Sequence, residues 1–556
     1  MEIKVHELGD LPVLYFILSH CGIAQAIDGH YPMHHNRKNA ISVGQTVVVW
    51  LLYILSENDH RVSYVEEWVE DHLEVIRRLL EVEQLDSKQF SDDYLGSLLD
   101  QFEDSARWES YEVTQNSYLI EVYNLPTREV RLDSTTAPSF RPAEGLFQYG
   151  YSKQKRSDLP QLKLMLASLD PLGMPIASLG VEGNRADDLL YIDIIEKAQK
   201  SLPPKDMLYI GDTKLGTLDN RHFIAMSENH YLCPLSKKYF SQASLEQTAQ
   251  HMQAHPEQLE LVYAVDDVNK EHPLAYVYEL ASQQVSVPQE QVFTYTERLV
   301  LVQSSALAEQ QRKSLQERLD KAQQQIRERF DYKRGRKMFT TLIEAQQAAD
   351  TILKKYNVKD LLQLHFTVSE EKRSQKYPVY CQVEKDQAAI TSRENLCGYR
   401  IYATNAPIHR LSATELVGYY RKQYRIEQNF HQLFNKVTQL LPIFLQKQER
   451  IVGLVRLLIL ALKISNLTQY QVRQQLQQEE DYLTHIVPGN AGRKVYQPTT
   501  ARLLHAFAAI RIVQVTHQNQ ITFSIEPLTE IQVKILNLLK IPLSFYSDLF
   551  MSKNFT

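Results

Sequence analysis

The segment EVRLDSTTA (129–137) carries an aspartate, Asp133, after an alternating apolar run and before three hydroxyl side chains. Such alternation over a short length predicts a β-strand. Two further strand-like runs follow, QLKLMLASLD (161–170) and PIASLGVEG (175–183), with the turn LDPLG between them. We therefore expect three neighbouring antiparallel strands, the first of them ending near Asp133. Taken alone, Asp133 is better explained as a turn residue than as a catalytic carboxylate.

A second aspartate, Asp212, closes a later predicted strand. The segments after the first three strands are predicted to be helix, strand, helix and strand: 187–200, 207–212, 215–228 and 230–235. This order describes a mixed sheet covered by helices. If the strands of Asp133 and Asp212 are adjacent, the two carboxylates meet at one edge of the sheet, where a hard cation such as Mg²⁺ prefers oxygen ligands.

A third acid, Glu427, lies in a predicted helix. Ser412 and Glu415 form a capping-box pattern, which predicts that this helix begins there and continues to about residue 436. Helical spacing places Glu427 on a stripe of mostly aromatic side chains: Tyr420, Gln423, Tyr424, Phe430, His431 and Phe434. We therefore expect Glu427 to be buried and paired with a cation, such as a metal ion, because an unpaired buried carboxylate is costly.

The regions on either side of this segment differ in pattern. Residues 11–105 show helical spacing throughout, and a helix-rich tail follows residue 412. Between about 240 and 400, strand-like pieces surround a long charged helix (311–337), and we interpret this region as an insertion. The charged helix is as consistent with a solvated surface as with a phosphate-binding one.

Composition limits the possible functions. The chain has 556 residues, 44% of them hydrophobic, and a net charge of −6, so any DNA binding must come from local basic patches. A chain of this length should form roughly two to four domains. The four cysteines are far apart and lack a CxxC pair, which argues against a zinc ribbon and favours a reducing compartment. The longest apolar runs, 46–55 and 457–462, are too short to span a bilayer, so we expect core helices and no membrane partner.

Four segments, taken together, resemble the DDE transposases of bacterial insertion sequences. They are LDSTT at the end of the first strand, YGYSKQKRSDLPQLKLMLASLDPLGMPIASLGVEGNRAD (149–187), YIGDTKLGTLDN (209–220) and YATNAPIHRLSATELVGYYRKQYRIEQNF (402–430). Their order and the long insertion before the third acid are similar to the group whose third acid lies in a Tyr-x2-Arg-x3-Glu-x6-Lys helix. The likeness covers roughly residues 5–470.

The resemblance implies an α/β fold in which an α+β insertion domain interrupts a ribonuclease-H-like catalytic core, with a helical N-terminal domain and a helical C-terminal tail. The corresponding bounds are 1–111 for the N-terminal domain, with a role in binding DNA ends, 112–239 and 401–475 for the two parts of the core, 240–400 for the insertion and 476–556 for the tail. In this family Asp133, Asp212 and Glu427 would hold two Mg²⁺ ions, with Mn²⁺ as a substitute, for strand cleavage and strand transfer.

Two positions depart from the helix motif of the family. Gln423 stands at the arginine position and Phe434 at the lysine position, whereas Tyr420 and Glu427 match. The phosphate contacts usually made by this helix must therefore come partly from other segments. The side chains that we expect to contact DNA are Tyr420, Lys153, Lys155, Arg156, Lys163, Lys214 and His431.

The sequence thus predicts a DNA transposase in the bacterial cytoplasm, associated with the nucleoid. Its partners would be double-stranded DNA, both the terminal inverted repeats and the target, and a second copy of the chain when bound to DNA. A non-catalytic DNA-binding descendant of such an enzyme is an alternative that explains Gln423 and Phe434. A second alternative is a Mg²⁺-dependent nuclease of the same fold that cuts DNA without joining it.

Overall fold

The computed structural model describes residues 2–33, 41–264, 270, 272–287, 292–331, 338–370, 378–517 and 520–548. It contains two compact units, and each is described by itself. The first comprises Met1–Tyr231 with Lys422–Thr556, and the second comprises Leu232–Arg421. The predicted insertion, 240–400, lies within the second unit, and the finer division into five segments stays a prediction.

The elements of the first unit before the insertion follow the predicted change from helices to strands. Up to residue 122 they are β1 (Glu2–Glu7), α1 (Leu11–His20), α2 (Ile23–His30), α3 (Val43–Glu57), α4 (Val65–Asp71), α5 (Leu73–Leu79), α6 (Asp92–Phe102) and α7 (Ser105–Val122). The next are β2 (Glu129–Pro138), β3 (Gln161–Leu169), β4 (Met174–Glu182), α8 (Leu190–Gln199), β5 (Leu208–Ile210), α9 (Leu218–Met226) and β6 (His230–Pro234), which crosses into the second unit.

The second unit mixes short strands with helices, as expected for the insertion. Its elements are α10 (Gln242–Ala254), β7 (Glu260–Val262), β8 (Ala275–Glu279), β9 (Gln283–Val287), β10 (Phe293–Ser304), α11 (Ser305–Phe330), α12 (Leu342–Tyr356), β11 (Leu362–Val368), β12 (Val379–Lys385), α13 (Gln387–Asn395), β13 (Tyr399–Thr404) and α14 (Ala413–Arg421). The first unit then resumes with α15 (Tyr424–Asn435), α16 (Gln448–Gln478), α17 (Thr500–His505), β14 (Arg511–His517), β15 (Gln520–Ile525), α18 (Glu530–Leu538) and α19 (Ser544–Asp548).

The central sheet of the first unit confirms the predicted strand arrangement. Its order is β4-β3-β2-β5, with β3 antiparallel to both β2 and β4, and β5 parallel to β2. All nine residues of β3 are buried, as befits a strand that is covered on both faces. The helix α8 connects β4 to the short parallel strand β5 and packs on β3 and β4. The fold class is therefore mixed α/β, with a mixed sheet and helices around it.

The two ends of the first unit are not purely helical, contrary to our expectation. The strand β1 pairs antiparallel with β14, and β14 pairs with β15, so the N-terminal segment and the tail share a three-stranded sheet. The strand β1 alternates apolar and polar residues with a period of two, and β14 is rich in the β-branched residues that favour strands. The alternation in β1 was missed because its side chains are largely exposed and it lacks a continuous apolar run.

The helix α16 is the main core helix of the first unit and packs on α6 and β4. By length and hydropathy α16 could cross a membrane, as could α1 with α2 if that pair, bent by 55°, were one span. However, 89% of the apolar window of α16 is buried within the protein, which is typical of a core helix and confirms the expected role of residues 457–462. Buried Lys463 donates a hydrogen bond of 2.7 Å to Asn116 of α7 and so ties α16 to that helix.

The predicted helix over 412–436 is two helices, α14 and α15, separated by Lys422 and Gln423. The capping box at its start is confirmed, because the Ser412 amide donates to Glu415 and the Glu415 amide donates to the Ser412 hydroxyl. No glycine or proline marks the break in the sequence. The stripe that was expected to join Tyr420 to Glu427 therefore does not run along one continuous helix.

The second unit is organised around a sheet and a separate apolar core. The sheet order is β6-β13-β10-β8-β7, and β9 also pairs with β10. The charged helix α11 buries one apolar face, including Leu319 and Ile326, in a core that also contains residues of α12 and β12. The phosphate-binding alternative for this helix stays a prediction, and residues 332–337 of the charged segment lie outside the described residues.

We predict that Gly453→Ala in α16 destabilises the protein, because α6 approaches α16 at this glycine. An added methyl group would lie 2.3 Å from the carbonyl oxygen of Leu99. The helices would have to separate, at a cost on the order of 2 kcal/mol, which thermal unfolding would show as a lower midpoint. The matched control is Gly29→Ala in α2, where nothing lies within 4 Å of the added carbon. An unchanged midpoint for Gly453→Ala would contradict the close packing of α6 and α16.

Candidate active site

Adjacent parallel strands bring Asp133 and Asp212 to the same edge of the central sheet. The last paired residues of β2 and β5 are Arg131 and Ile210, and each aspartate lies two residues beyond its member of that pair. Asp212 is close enough to Asp133 for charge repulsion to raise the pKa of Asp133. The predicted meeting of the two carboxylates required these strands to be adjacent, and the sheet order confirms that adjacency. The strand β2 continues past Asp133 to Pro138, however, so the prediction that it ends near Asp133 was wrong.

Lys153, in the loop between β2 and β3, places a positive charge beside Asp133 and Asp187. Its ammonium lies 3.3 Å from Asp133 Oδ1 and 3.6 Å from Asp187 Oδ2. The same ammonium donates hydrogen bonds to the Ser134 carbonyl and hydroxyl oxygens, at 2.7 and 2.8 Å. The Lys153 amide in turn donates to Thr136 Oγ1 at 3.1 Å, so the loop is anchored along β2. Lys153 is therefore a counterion inside the site as the structure stands.

Two members of the site, Asp187 and Tyr191, were not predicted from the sequence. Tyr191 on α8 donates a hydrogen bond of 2.7 Å to Asp212 Oδ1. Asp187 lies just before α8 and accepts a 2.5 Å hydrogen bond from Lys163. The acidic pair Asp187 and Asp188 at the start of a predicted helix was the available signal, since acids favour that position.

Burial and neighbouring charges set the protonation states in this cluster. Burial, together with repulsion from Asp212, raises the pKa of Asp133 to about 6, although Lys153 opposes the shift. Burial also raises the pKa of Asp187, but the hydrogen bond from Lys163 and the charge of Lys153 outweigh it and hold that pKa below its usual value. The pKa of Tyr191 is raised well above its usual value by burial and by Asp212, so its hydroxyl remains a donor. Near neutral pH, Asp133 is thus suited to accept or release a proton.

Glu427, the third predicted acid, is exposed on α15. The buried face of that helix is formed by Ile426, Asn429, Phe430, Leu433 and Phe434. Our expectation that Glu427 is buried among aromatic side chains was wrong, because that stripe faces outward at Tyr424, Glu427 and His431. One turn before Glu427, the side-chain amide of Gln423 donates a hydrogen bond of 3.2 Å to the carbonyl oxygen of Leu132, the residue before Asp133. The start of α15 therefore lies beside the strand that carries Asp133.

An ion cluster around Asp170 fixes α15 on the central sheet. Asp170 accepts two hydrogen bonds from Arg131, at 3.0 and 3.2 Å, and one of 2.6 Å from Arg425 of α15. Arg131 also donates to Gln423 Oε1 at 3.3 Å. Gln423, at the arginine position of the family motif, is therefore a structural link between the helix and the sheet.

The predicted DNA-contacting side chains are not equally exposed. Lys163 is only 8% exposed and is held by Asp187 and the carbonyl oxygen of Arg185, so it is a buried ion-pair partner and not a surface contact. Lys155 and Lys214 are exposed, and Arg156 is exposed but paired with Asp158 at 2.7 Å.

The remaining two predicted contacts lie on different helices. His431 is exposed on α15. Tyr420 belongs to α14 of the second unit, where its ring packs edge-on against Tyr402 with the ring centroids 4.7 Å apart. The structure therefore leaves the DNA-binding roles of both residues as predictions.

The metal site that the resemblance implies would depend on Asp133 and Asp212. No group of three or more His, Cys, Asp or Glu side chains in the described part of the chain is placed to hold a metal ion. Asp133 and Asp212 supply two carboxylates, but Lys153 takes the place of a cation beside Asp133. The two-ion site implied by the resemblance therefore stays a prediction.

Comparisons with known proteins assign no function to the chain. Residues 3–113 match the model of a domain of unknown function, DUF4277. No curated protein matches the chain. Among solved structures, the chain is similar to one described as a cryo-EM structure of a piggyBac transposase synaptic complex with hairpin DNA, at 8% identity and a TM-score of 0.34, over 98% of this chain and 86% of that one. A likeness at this score supports no inference about function.

We predict that Asp133→Asn raises stability at pH 7.5 in the presence of a chelator. The folded-state pKa of Asp133, about 6, exceeds the ordinary value of 3.8, so ionisation of this group destabilises the folded protein. The destabilisation is absent below about pH 4, grows as the pH rises, and is complete above about pH 6. The side chain is 17% exposed, so the neutral amide should gain about 1 to 3 kcal/mol at pH 7.5 and roughly half as much at pH 5. The gain is measured as the change in thermal midpoint.

The matched control for this measurement is Asp71→Asn at an exposed position of α4. Its midpoint should stay close to that of the parent at both pH values. A loss of stability in Asp133→Asn at pH 7.5, or an equal gain at both pH values, would contradict the electrostatic description of the site.

Proposed function

We propose that the chain is a DNA transposase, which cleaves strands at transposon ends and transfers them into target DNA. One observation carries the proposal: Asp133 and Asp212 lie at the same edge of neighbouring parallel strands. Both aspartates belong to the segments that resemble the DDE transposases, LDSTT and YIGDTKLGTLDN. Two remote carboxylates that meet in this way are more typical of a reactive site than of two unrelated turns.

A ribonuclease-H-like core is part of this proposal. Its support is the strand order β4-β3-β2-β5, with three antiparallel strands followed by a parallel one. The α8 crossover to β5 and the position of each aspartate two residues beyond the last pair of β2 with β5 agree with the order of acids in the resemblance.

Dependence on Mg²⁺, with Mn²⁺ as a substitute, is a further proposal that rests on the resemblance alone. Bound divalent ions would supply Lewis-acid stabilisation of charge at phosphorus. The protein side of the site consists of Asp133, Asp212 oriented by Tyr191, and Lys153 as the resident counterion. Because Lys153 contacts Asp133 from a loop, its ammonium is also placed to bind a DNA phosphate that enters the site.

A second candidate function is a DNA-binding protein that descends from a transposase and has lost catalysis. The specific observation in its favour is the exposed Glu427, together with the structural use of Gln423. A nuclease of the same fold that cuts without joining is a third. For all three, double-stranded DNA is the proposed partner, and for the transposase we also propose a homodimer on DNA and a place in the bacterial cytoplasm at the nucleoid.

We predict that Asp133→Asn and Asp212→Asn each abolish strand cleavage and joining while DNA binding remains. The assay combines the purified chain with a plasmid that carries the gene and its flanking genomic DNA, with Mg²⁺, Mn²⁺ or a chelator. Joined products support the transposase, cleavage alone the nuclease, and binding alone the inactive descendant. Asp219→Asn, at an exposed position in the first turn of α9, is the control that should keep activity. Cleavage by Asp133→Asn at the parental rate would remove Asp133 from the active site.

We predict that the double variant Lys155→Ala and Arg156→Ala binds DNA about tenfold more weakly and with a smaller salt dependence. Both side chains are exposed, and each phosphate contact that is lost lowers the slope of log affinity against log salt by about 0.9. The charge-matched control is Lys200→Ala with Lys205→Ala, whose exposed ammonium groups pair with Glu109 and Glu228 and were not predicted to contact DNA. Equal affinities and slopes for the two double variants would exclude Lys155 and Arg156 as DNA contacts.

A further inference from the structure

A cavity of about 590 Å³, separate from the candidate active site, lies in the first unit between α15, α16 and the tail. None of the residues that line it is Asp133, Asp212 or another member of the site described above. The volume lies in the range of small-molecule pockets, which is roughly 300 to 1,000 Å³. The cavity is therefore large enough for a ligand of its own.

Two arginines give this cavity an excess of positive charge. Arg425 shares its carboxylate partner, Asp170, with Arg131, so one negative charge serves two guanidinium groups. Arg473 donates its Nε hydrogen to the carbonyl oxygen of Pro498 at 3.0 Å and, among the described residues, has no carboxylate partner. Burial, followed by the charge of Arg425, lowers the pKa of Arg473. An anion between Arg425 and Arg473 would relieve this repulsion.

Acidic groups that line the same cavity do not cancel this charge at the arginines. Asp481 is paired with Lys534 at 2.6 Å. Glu480 is exposed to solvent, where its charge is screened. The arginine end thus stays electropositive.

The rest of the lining suits a planar, hydrogen-bonding group attached to the anion. Tyr424 and Tyr496 line the cavity and are 50% and 57% exposed, so part of each ring surface is open to a ligand. Gln432 also lines the cavity, although its Oε1 is shielded from solvent and has no hydrogen-bond partner among the described residues. The exposed side chains of Gln428 and Gln497 in the same lining supply hydrogen-bonding groups for a base or a sugar.

We propose that this cavity binds a phosphate monoester of nucleotide size, with the phosphate between Arg425 and Arg473 and the base or sugar against the tyrosines and the exposed glutamines. The phosphate could come from a free nucleotide or from the 5′ end of a DNA strand, because both present the same chemistry. The proposal does not depend on catalysis at Asp133, since the cavity and that site share no residue.

Calorimetric titration of the full-length chain tests the proposal without any metal ion. The probes are deoxyadenosine monophosphate, a 5′-phosphorylated tetranucleotide, its unphosphorylated form, deoxyadenosine and inorganic phosphate. The parent protein should bind at least one of the two phosphate esters. An ester that binds should do so at least tenfold more tightly than the same compound without its phosphate. Preference for the monophosphate identifies a free nucleotide, and preference for the tetranucleotide identifies a strand end.

Arg473→Gln should weaken binding of the preferred ester at least tenfold, and Arg473→Lys should weaken it less. The charge-matched control is Arg493→Gln, at an exposed position outside the lining, which should bind like the parent. Thermal midpoints confirm that each variant is folded. Equal binding of the ester by folded Arg473→Gln and by the parent would overturn the proposal. It would also be overturned if the parent bound neither ester, or bound only inorganic phosphate.

Discussion

One buried carboxylate, Asp170, determines how α15 lies on the central sheet. It is 3% exposed and binds Arg131 of the sheet and Arg425 of the helix. Removing such charges from water costs several kcal/mol, so a buried cluster contributes a unique geometry more than stability. Since Arg425 must face the sheet, the rotation of α15 about its axis is fixed. Glu427 lies two residues further, about 200° around the helix, and therefore faces solvent.

This constraint explains why the strands could be predicted from the sequence and the helix face could not. Strand periodicity is a local property, and it correctly indicated the strands that bring Asp133 and Asp212 together, although β2 continues past Asp133 to Pro138. Helical spacing tells which side chains share a stripe, but it does not tell which stripe faces the core. On α15 the side that faces the core is not the aromatic stripe around Glu427 but the side that contains Asn429. The side-chain amide of Asn429 donates hydrogen bonds to the Ser168 hydroxyl and to the Gly173 carbonyl oxygen. Asn429 lies one turn after Arg425, so its buried hydrogen bonds and the ion pair at Asp170 turn the same side of α15 to the sheet.

Long-range pairings explain the other differences between expectation and structure. The pairing of β1 with β14 joins residues about 500 positions apart, and neither strand carries a signal for its partner. Lys163 lies on β3, in sequence an ordinary basic residue of an alternating strand, and only the position of Asp187 shows that its charge is used internally. Such partners lie in other elements, so composition and spacing cannot identify them.

The arrangement around Lys153 sets the conditions under which the proposed active site could bind a divalent cation. Two neighbouring carboxylates repel each other, and the raised pKa of Asp133 shows that burial and repulsion outweigh the help from Lys153. Lys153 is tethered by hydrogen bonds to Ser134 and Thr136, so its effective concentration at Asp133 is high. A cation entering beside Asp133 would have to displace this ammonium, and the displaced ammonium would be left without part of its compensation. A DNA phosphate arriving at the same time would supply that compensation, so cation and DNA binding at this site should favour each other.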